Sequence, residues 1–381
     1  MEKSENKAPK KLTRSKKKFD ITFFSLVSIL LVIGLIMLFS ASYVYSLNKF
    51  GTNYKFILNQ SIYAVIGLAG MVIASLIDYH FYRKFAWIIY LASLAMLAFV
   101  AIVPPMIPDS GVKRWIAIGG FSFQPSEIAK FAVILILSHL ISKNYHLMGK
   151  FKFVALLVVI LGAVCVLVVV EPHLSATVLI LAIGAVLMII GGIKMIYVII
   201  GAAVGIGGAF LAIISGIVSY GGDRIKYWLD PWADASGKGY QTIQSLLAIG
   251  SGGLLGRGIG KSHQKYLYIP EPQNDFIFAV VCEELGVIGA MIIILLFCAL
   301  VWRGFTIAMK APDKFGCLLA VGLTFQVGLQ ALLNILVVTN TVPNTGISLP
   351  FFSYGGTSLV ILLTEMGIVL NISRQASLKK L

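Results

Sequence analysis

Long apolar stretches alternate with short polar segments along almost the entire chain. An α-helix needs about 20 apolar residues to cross a hydrocarbon core of roughly 30 Å. Stretches of this kind predict transmembrane helices at 21–46, 57–77, 86–103, 124–142, 153–170, 174–191, 195–218, 277–301, 316–338 and 357–372. The pattern therefore predicts an all-α polytopic membrane protein with about ten transmembrane helices. The link at Glu171–Ser175 is short, so a fused or re-entrant pair of helices is the alternative at that point.

The basic residues orient this predicted bundle, because lysine and arginine accumulate in cytoplasmic segments. They crowd the first 18 residues, recur near the C-terminus and fall in alternate short loops, at Arg83 and Lys84, Lys143, Lys150 and Lys152, Lys194, and Lys310 and Lys314. Both termini are therefore predicted to be cytoplasmic, which requires an even number of helices. The predicted organisation is a basic cytoplasmic tail at 1–19, a membrane domain at 20–375 and a second cytoplasmic tail at 376–381.

The composition supports the membrane class and excludes several others. Of 381 residues, 58% are hydrophobic and only 12% are charged, which is too little charge for the surface of a soluble domain. The net charge of +15 arises largely from the orienting residues, so no nucleic-acid partner is expected. The four cysteines lie in or beside apolar stretches without the spacing of a metal site or of a disulfide framework.

Three predicted outer segments contain most of the polar residues other than the basic residues that set the orientation. The longest is the loop at about 219–276, and shorter ones lie at about 104–123 and 339–356. A loop this long is usually functional or disordered, and its aromatic content argues against disorder. Within it, Tyr240–Ile249 predicts a short amphipathic helix. Gly256–Ser262 imitates a phosphate-binding loop but lacks the required first glycine and a preceding strand, so no nucleotide site is predicted.

The fourth predicted helix begins with two charged residues at helical spacing. Glu127 and Lys130 are three residues apart, so they share one face and can pair. One interpretation is a structural ion pair at the mouth of the helix. The other is a cavity lining, which is favoured because intramembrane charges are costly and usually functional. Upstream, Lys113, Arg114 and Trp115 place two cations and an aromatic ring at the membrane interface.

Asp275 is the most distinctive single residue, because it stands immediately before the strongly apolar eighth helix. Partial desolvation raises the pKa of a carboxylate in such a place and makes it a plausible general base. A helix N-cap is an equally good interpretation of the spacing. In the ninth helix, Gln326, Gln330 and Asn334 form a polar stripe that fits either helix–helix hydrogen bonding or a cavity wall.

The segment from Asn344 to Ser358 is polar and glycine-rich, and it leads into the tenth helix. Its backbone N–H groups and hydroxyls at a helix N-terminus would suit a phosphate group. They could equally serve only as a helix cap.

Several of these segments, in this order and spacing, resemble the SEDS family of cell-wall polymerases, the FtsW/RodA/SpoVE group. The resemblance covers about 20–375. Its motifs are GVKRWI at 111–116, QPSEIAK at 124–130, DPW at 230–232, GYQTIQS at 239–245, GGLLGRGIG at 252–260, PEPQNDFIF at 270–278, EELG at 283–286 and LPFFSYGGTS at 349–358.

The resemblance implies a ten-helix enzyme in the cytoplasmic membrane that polymerises lipid II, an undecaprenyl-pyrophosphate-linked disaccharide-peptide, into glycan strands at the outer face. The essential aspartate of the family corresponds to Asp275, and its glutamate and lysine correspond to Glu127 and Lys130. His173 and Ser175 depart from the frequent Pro-Asp-x-Gly-Thr pattern and fit the division or sporulation branch better than the elongation branch. The predicted substrate-binding residues are Lys113, Arg114, Trp115, Gln124, Ser126, Glu127, Lys130, Gln241, Gln244, Ser245, Asn344, Thr345, Ser353, Tyr354, Gly355, Gly356, Thr357 and Ser358.

The expected chemistry is an inverting glycosyl transfer with Asp275 as the general base. Cationic side chains, with or without a divalent cation such as Mg or Mn, would neutralise the pyrophosphate. The expected partners are lipid II, membrane lipid, a class B penicillin-binding protein that acts as a transpeptidase, and divisome or related morphogenetic proteins. A lipid II flippase is the main alternative, since intramembrane charge and broken helices are also typical of transporters. A scaffold that only docks a partner enzyme is a third alternative.

Overall fold

The structure is a computed structural model that describes residues 19–103, 114–118, 121–171, 173–214 and 219–376. The basic N-terminal tail, Lys113 and the last five residues fall outside these ranges. The helices of the described part are α1 Ile21–Phe50, α2 Lys55–Leu76, α3 Tyr79–Lys84, α4 Ala86–Ile102, α5 Pro125–Lys143, α6 Phe151–Val170, α7 Leu174–Ile190, α8 Met195–Ile214, α9 Ser219–Leu229, α10 Tyr240–Gly252, α11 Ile277–Met309, α12 Lys314–Val338 and α13 Thr357–Ala376.

Ten of these helices coincide with the ten predicted membrane spans, which confirms the fold class. Seven, namely α1, α2, α5, α6, α11, α12 and α13, are long and apolar enough to cross a bilayer. The apolar helices α4 and α7 are slightly shorter, and α8 covers most of the seventh predicted span. Helices α5, α12 and α13 are the most enclosed, while α2 and α11 expose much of their apolar surface, as expected where lipid replaces protein.

One small sheet was not predicted. Strands β1 Ile116–Ile118 and β2 Phe121–Phe123 pair antiparallel in the second outer segment, with Ala117 opposite Ser122. Each strand is a short alternating triplet, and two glycines separate them in the sequence, which is a recognisable hairpin signal. The hairpin leads directly into α5 and so fixes where that helix begins.

Both ends of the bundle lie on the same side of the membrane. Asp20, which caps α1 by accepting from the Phe23 N–H at 2.9 Å, donates its own N–H to Ser373 Oγ near the end of α13 at 3.2 Å. Its carboxylate also pairs with Arg303 near the end of α11 at 2.7 Å. The loops with Arg83 and Lys84 and with Lys310 and Lys314 meet at this end through contacts of Tyr79 with Asn371 and Asp313, so this face is the cytoplasmic one.

The short link after α6 joins two separate helices. Helix α6 ends at Val170, and α7 begins at Leu174 and packs back along α6. The alternative of a fused or re-entrant pair is therefore wrong.

The long outer loop is fastened to α11 by two buried carboxylates. Glu284 accepts from Ser40 Oγ at 2.7 Å and pairs with Lys265 Nζ at 2.9 Å, while Glu283 accepts from Ser262 Oγ and from the His263 N–H. Buried charges need partners of this kind, since the hydrocarbon region provides no water. The predicted amphipathic helix within the loop is present as α10.

The glycine-rich segment that imitates a phosphate loop packs against the same stretch of α11. The N–H groups of Arg257 and Gly258 donate to the carbonyls of Glu283 and Glu284 at 3.0 and 2.9 Å. Helix α11 breaks at Gly286, which has φ 67° and lies so close to Gly256 that a side chain would meet its backbone nitrogen at 2.3 Å. These glycines therefore shape the backbone, and their N–H groups bind protein carbonyls.

Two glycines of α10 give a matched test of this packing. A methyl group on Gly252 would lie 2.1 Å from the Cys282 carbonyl oxygen, whereas Gly250 faces open space. We expect Gly252→Ala to lower the free energy of unfolding by about 1–3 kcal/mol through overpacking. Gly250→Ala should be neutral or stabilising by about 0.5–1 kcal/mol, since alanine favours helix. Thermal unfolding of both variants in detergent measures the difference, and equal stability of the two would contradict the packing.

Candidate active site

A cavity of about 560 Å³ lies at the outer end of the bundle. Helices α5, α11 and α13 begin around it, and the α6–α7 link, the β1–β2 hairpin and the loop before α13 complete its wall. The residues that line it are Tyr63, Arg114, Trp115, Ser122, Gln124, Glu127, Lys130, His173, Ser175, Ala176, Leu179, Glu271, Asn274, Asp275, Gln330, Gly346, Ile347, Ser348, Tyr354, Gly355, Gly356 and Ser358.

The predicted pair at the start of α5 is formed and belongs to the cavity wall. Lys130 Nζ lies 2.8 Å from Glu127 Oε2 and donates to Gln330 Oε1 at 3.2 Å. Lys130 is only 2% exposed, while Glu127 is 15% exposed. Because a buried ammonium ion is costly without partners, Glu127 holds this cation at the cavity. The two residues therefore form an ion pair at the start of the helix and also line the cavity.

Asp275 does not use its side chain to cap α11. The N-cap residue is Phe276, without any side-chain capping bond, and the Asp275 carbonyl oxygen accepts from Asn334 Nδ2 at 2.7 Å. The Asp275 carboxylate lies against Gly346 and faces the cavity. Of the two interpretations of this residue, the geometry favours the functional one.

The surroundings of Asp275 perturb its acidity. Burial, together with the nearby Glu271 carboxylate, raises the pKa of Asp275 to about 6, against the opposing positive fields of Arg114 and Arg224. A carboxylate with that pKa is still mostly ionised at neutral pH and is a stronger base than an ordinary aspartate.

The three residues of the polar stripe on α12 make different contacts. Gln330 reaches the cavity and donates to Ser348, whereas Gln326 Nε2 donates to Glu365 on α13 at 3.0 Å. Asn334 holds the backbone of Asp275 and also donates to the Ile347 carbonyl at 2.6 Å. Helix–helix bonding and cavity lining therefore both occur along one stripe.

The loop before α13 is held in shape by α2. The N–H groups of Gly355 and Gly356 approach Gln60 Oε1 at 3.4 and 3.3 Å, and Gln60 Nε2 donates to the Ser353 carbonyl. The Ser353 hydroxyl donates to the Asn274 carbonyl at 2.8 Å. These donors bind protein here, and a phosphate-binding role for the loop stays a prediction.

Further polar side chains of this loop have similar partners. Thr357 Oγ1 donates to the carbonyl of Ser122 at 3.2 Å, which ties the start of α13 to the β1–β2 hairpin. Tyr354 and Ser358 line the cavity, and their role in substrate binding stays a prediction.

The structure does not bring every predicted substrate-binding residue to the cavity. Ser245 donates its hydroxyl to the Val338 carbonyl at 2.8 Å, because α10 packs on α11 and α12. Gln241 Oε1 accepts from Asn344 Nδ2 at 3.3 Å, and the Thr345 carbonyl accepts from Ser175 Oγ. Of the predicted substrate-binding residues that the structure describes, those outside the cavity wall are Ser126, Gln241, Gln244, Ser245, Asn344, Thr345, Ser353 and Thr357. Their binding role, like that of Lys113 outside the described ranges, stays a prediction.

Some cavity residues had no assigned role in the sequence. Glu271 accepts from Tyr45 Oη at 3.2 Å and from Asn274 Nδ2 at 2.8 Å, and it has the unusual φ of 47°. Both Glu271 and Asn274 lie in the segment that contains Asp275, so their proximity in sequence was an available signal. Tyr63, in the middle of an apolar helix, gave none.

The link before α7 adds an unusual part of the wall. Arg114 Nε donates to the Glu171 carbonyl at 3.4 Å, and the Glu171 side chain is completely buried, which raises its pKa to about 8. His173 lines the cavity together with Gln124, and its Nδ1 lies within hydrogen-bond distance of Gln124 and Ser126.

The acidic residues of the cavity do not form a metal cage. Within the described ranges, no three His, Cys, Asp or Glu side chains cluster as ligands. Glu127 is bound to Lys130, and Glu271 is bound to Tyr45 and Asn274. A divalent cation at the pyrophosphate stays a prediction.

Replacing Glu127 tests the role of the ion pair. Glu127→Gln leaves the buried Lys130 ammonium without its ionic partner, which should lower the free energy of unfolding by about 3–5 kcal/mol. The double variant Glu127→Gln with Lys130→Met should recover most of that loss, because no uncompensated charge remains. Thermal unfolding in detergent measures both, and a double variant as unstable as the single one would contradict the explanation.

Comparison with known proteins agrees with this arrangement. The family model FtsW/RodA/SpoVE, described as "Cell cycle protein", matches residues 20–378. The chain is 38% identical over 365 residues to stage V sporulation protein E of Bacillus subtilis (strain 168), covering 95% of this chain and 99% of the relative. It is 37% identical over 358 residues to the probable peptidoglycan glycosyltransferase FtsW of Geobacter sp. (strain M18), covering 93% of this chain and 96% of that protein.

A solved structure shows the same fold. A chain from the structure described as "Structural coordination of polymerization and crosslinking by a peptidoglycan synthase complex" superposes with a TM-score of 0.77 at 26% identity. The match covers 94% of this chain and 98% of the other. The matched sequence, the bundle and the outer cavity together place the chain in the FtsW/RodA/SpoVE family of integral cytoplasmic membrane proteins.

Proposed function

We propose that this protein is a peptidoglycan glycosyltransferase that polymerises lipid II at the outer face of the cytoplasmic membrane, in cell division or sporulation. The observation that carries the proposal is the outer cavity, in which the Asp275 carboxylate and the cations Arg114 and Lys130 line the same space. Relatives named as peptidoglycan glycosyltransferases cover almost the whole chain.

One carboxylate is sufficient for this reaction. The 4-hydroxyl of one sugar attacks the anomeric carbon of another, and Asp275 takes the hydroxyl proton as the new C–O bond forms. The bond from the anomeric carbon to the pyrophosphate oxygen breaks, and its electron pair leaves with the pyrophosphate. The anomeric carbon inverts, so no covalent enzyme intermediate is needed. Glycoside hydrolases need a second carboxylate to protonate a poorer leaving group.

We propose that these cations bind the pyrophosphate. Lys130 is held at the wall by Glu127 and Gln330, and Arg114 is anchored to the Glu171 carbonyl. Donors fixed in this way stabilise developing negative charge without reorganising. Lys113, adjacent in sequence, is proposed to contribute as well.

The flippase alternative is less well supported by this geometry. A transporter needs a polar path that opens to both sides of the membrane, whereas the cavity lies at the outer ends of the helices. Deeper in the bundle, the Gln326–Glu365 contact is buried between α12 and α13. A scaffold without chemistry of its own leaves the cavity residues without a use.

We further propose that a class B penicillin-binding protein is the cognate partner. The structural relative belongs to a complex that coordinates polymerisation with crosslinking. A transpeptidase beside the cavity would receive each strand as it forms.

Replacing the proposed base gives the most direct test. Asp275→Asn keeps the size of the side chain but cannot accept the proton, so purified protein should lose polymerisation of lipid II by at least about 100-fold. Asp234→Asn is the matched control and should remain active, because Asp234 lies outside the cavity wall and the asparagine oxygen can still accept from the Lys238 N–H. Polymer is measured on gels with a partner whose transpeptidase site is disabled. Full activity of Asp275→Asn would refute the assignment.

The proposed base also predicts a pH dependence. Only ionised Asp275 accepts a proton, and its pKa is about 6, so the rate should fall about tenfold per unit as the pH drops below that value. Glu271→Gln removes a negative charge that raises this pKa, so the acidic limb should move to lower pH. Initial rates between pH 4.5 and 8 measure both. An acidic limb that does not respond to Glu271→Gln would contradict the assignment.

A further inference from the structure

His173 has the geometry of a binding residue that the proposed mechanism does not yet use. It stands at the N-terminus of α7, where its carbonyl accepts from the Thr177 N–H at 3.2 Å, but its side chain makes no capping bond. The ring lines the cavity and is 8% exposed. The side chain is therefore not used as a helix cap.

The contacts of the ring select one tautomer. Nδ1 of His173 lies 3.2 Å from Gln124 Nε2 and 3.5 Å from Ser126 Oγ. An amide N–H only donates, so Nδ1 accepts and the ring hydrogen lies on Nε2. That second nitrogen makes no hydrogen bond to any described residue and remains available to a ligand in the cavity.

The charges around His173 keep it neutral. Burial lowers the pKa of His173 to about 3, and the positive fields of Arg114, Lys130 and Arg224 act in the same direction. Glu171 is the other titratable group of the link, and its carboxyl has a raised pKa because it is buried. The imidazole is therefore a fixed donor at any pH at which the protein works, and not an acid or a base.

Two of these cations, Arg114 and Lys130, indicate which ligand His173 contacts. An anion drawn to Arg114 and Lys130 comes to the part of the cavity wall where His173 stands. We propose that His173 donates its Nε2–H to the pyrophosphate of the lipid-linked donor substrate, in a tautomer held by Gln124 and Ser126. This inference rests on the proposed glycosyltransferase function and assigns a substrate-binding residue to it. It also gives Gln124 and Ser126 a role in positioning the ring.

Two amide variants separate this role from simple packing. The side-chain nitrogen of glutamine can occupy the place of Nε2, whereas that of asparagine reaches only the place of Nδ1. His173→Gln should therefore stay within about threefold of wild type in kcat/KM. His173→Asn and His173→Phe should lose about 10- to 100-fold, the size expected for one hydrogen bond to a charged group. The loss should fall mainly on kcat, because charge on the pyrophosphate grows as it leaves.

The pH profile tests whether His173 titrates. The acidic limb of the pH profile should stay unchanged in the active variant His173→Gln, since that limb belongs to Asp275. A limb that moves would show His173 titrating and would overturn the neutral-donor assignment.

A binding measurement keeps the test independent of turnover. Binding of undecaprenyl pyrophosphate to the full-length protein in lipid nanodiscs should be retained in His173→Gln and weakened in His173→Asn and His173→Phe, with thermal stability verifying that each variant is folded. Equal binding by all of them, or binding kept by asparagine but lost by glutamine, would overturn the proposal. Normal binding in a wild-type protein that forms no polymer would instead refute the glycosyltransferase function and leave the donor role of His173 standing.

Discussion

The buried amides around the cavity bind backbone groups of the protein, because the hydrocarbon core of a bilayer provides no partners. The partners come from distant parts of the chain. Asn334 of α12 holds the backbone on both sides of the cavity mouth, at Asp275 and at Ile347, and Gln60 of α2 holds the loop before α13. These hydrogen bonds hold the shape of the cavity, because no water in the hydrocarbon core competes for the buried amides.

The same requirement explains the electrical character of the cavity. At its wall, Lys130 is paired with Glu127. The Asp275 carboxylate has no capping role, and burial and Glu271 disfavour its ionised form. A group kept in such an unfavourable state is where reactivity is expected.

How much of this could be predicted follows from the range of the interactions. The ten helices depend on local hydropathy, and the pair of Glu127 and Lys130 depends on one helical turn, so both could be predicted from sequence. The contact of Gln124 with His173 joins residues 49 positions apart, and no local sequence pattern predicts it. Predictions for Gln241 and Ser245 rested on motif resemblance; their side chains bind the loop and the adjoining helix, and a substrate-binding role stays a prediction. The β1–β2 hairpin had a local signal, but its two strands are only three residues long.

The break in α11 at Gly286 divides the helix into parts that answer to different surroundings. The part that follows Asp275 is bound to the outer loop through Glu283 and Glu284, while the longer part below the break is exposed to lipid. The loop also binds the residues just below the break, because the N–H groups of Val287 and Ile288 donate to the carbonyls of Gly253 and Leu254. The outer loop therefore bridges the interrupted helix, and the position of Asp275 relative to the membrane segment depends on this loop rather than on a continuous helical hydrogen-bond ladder.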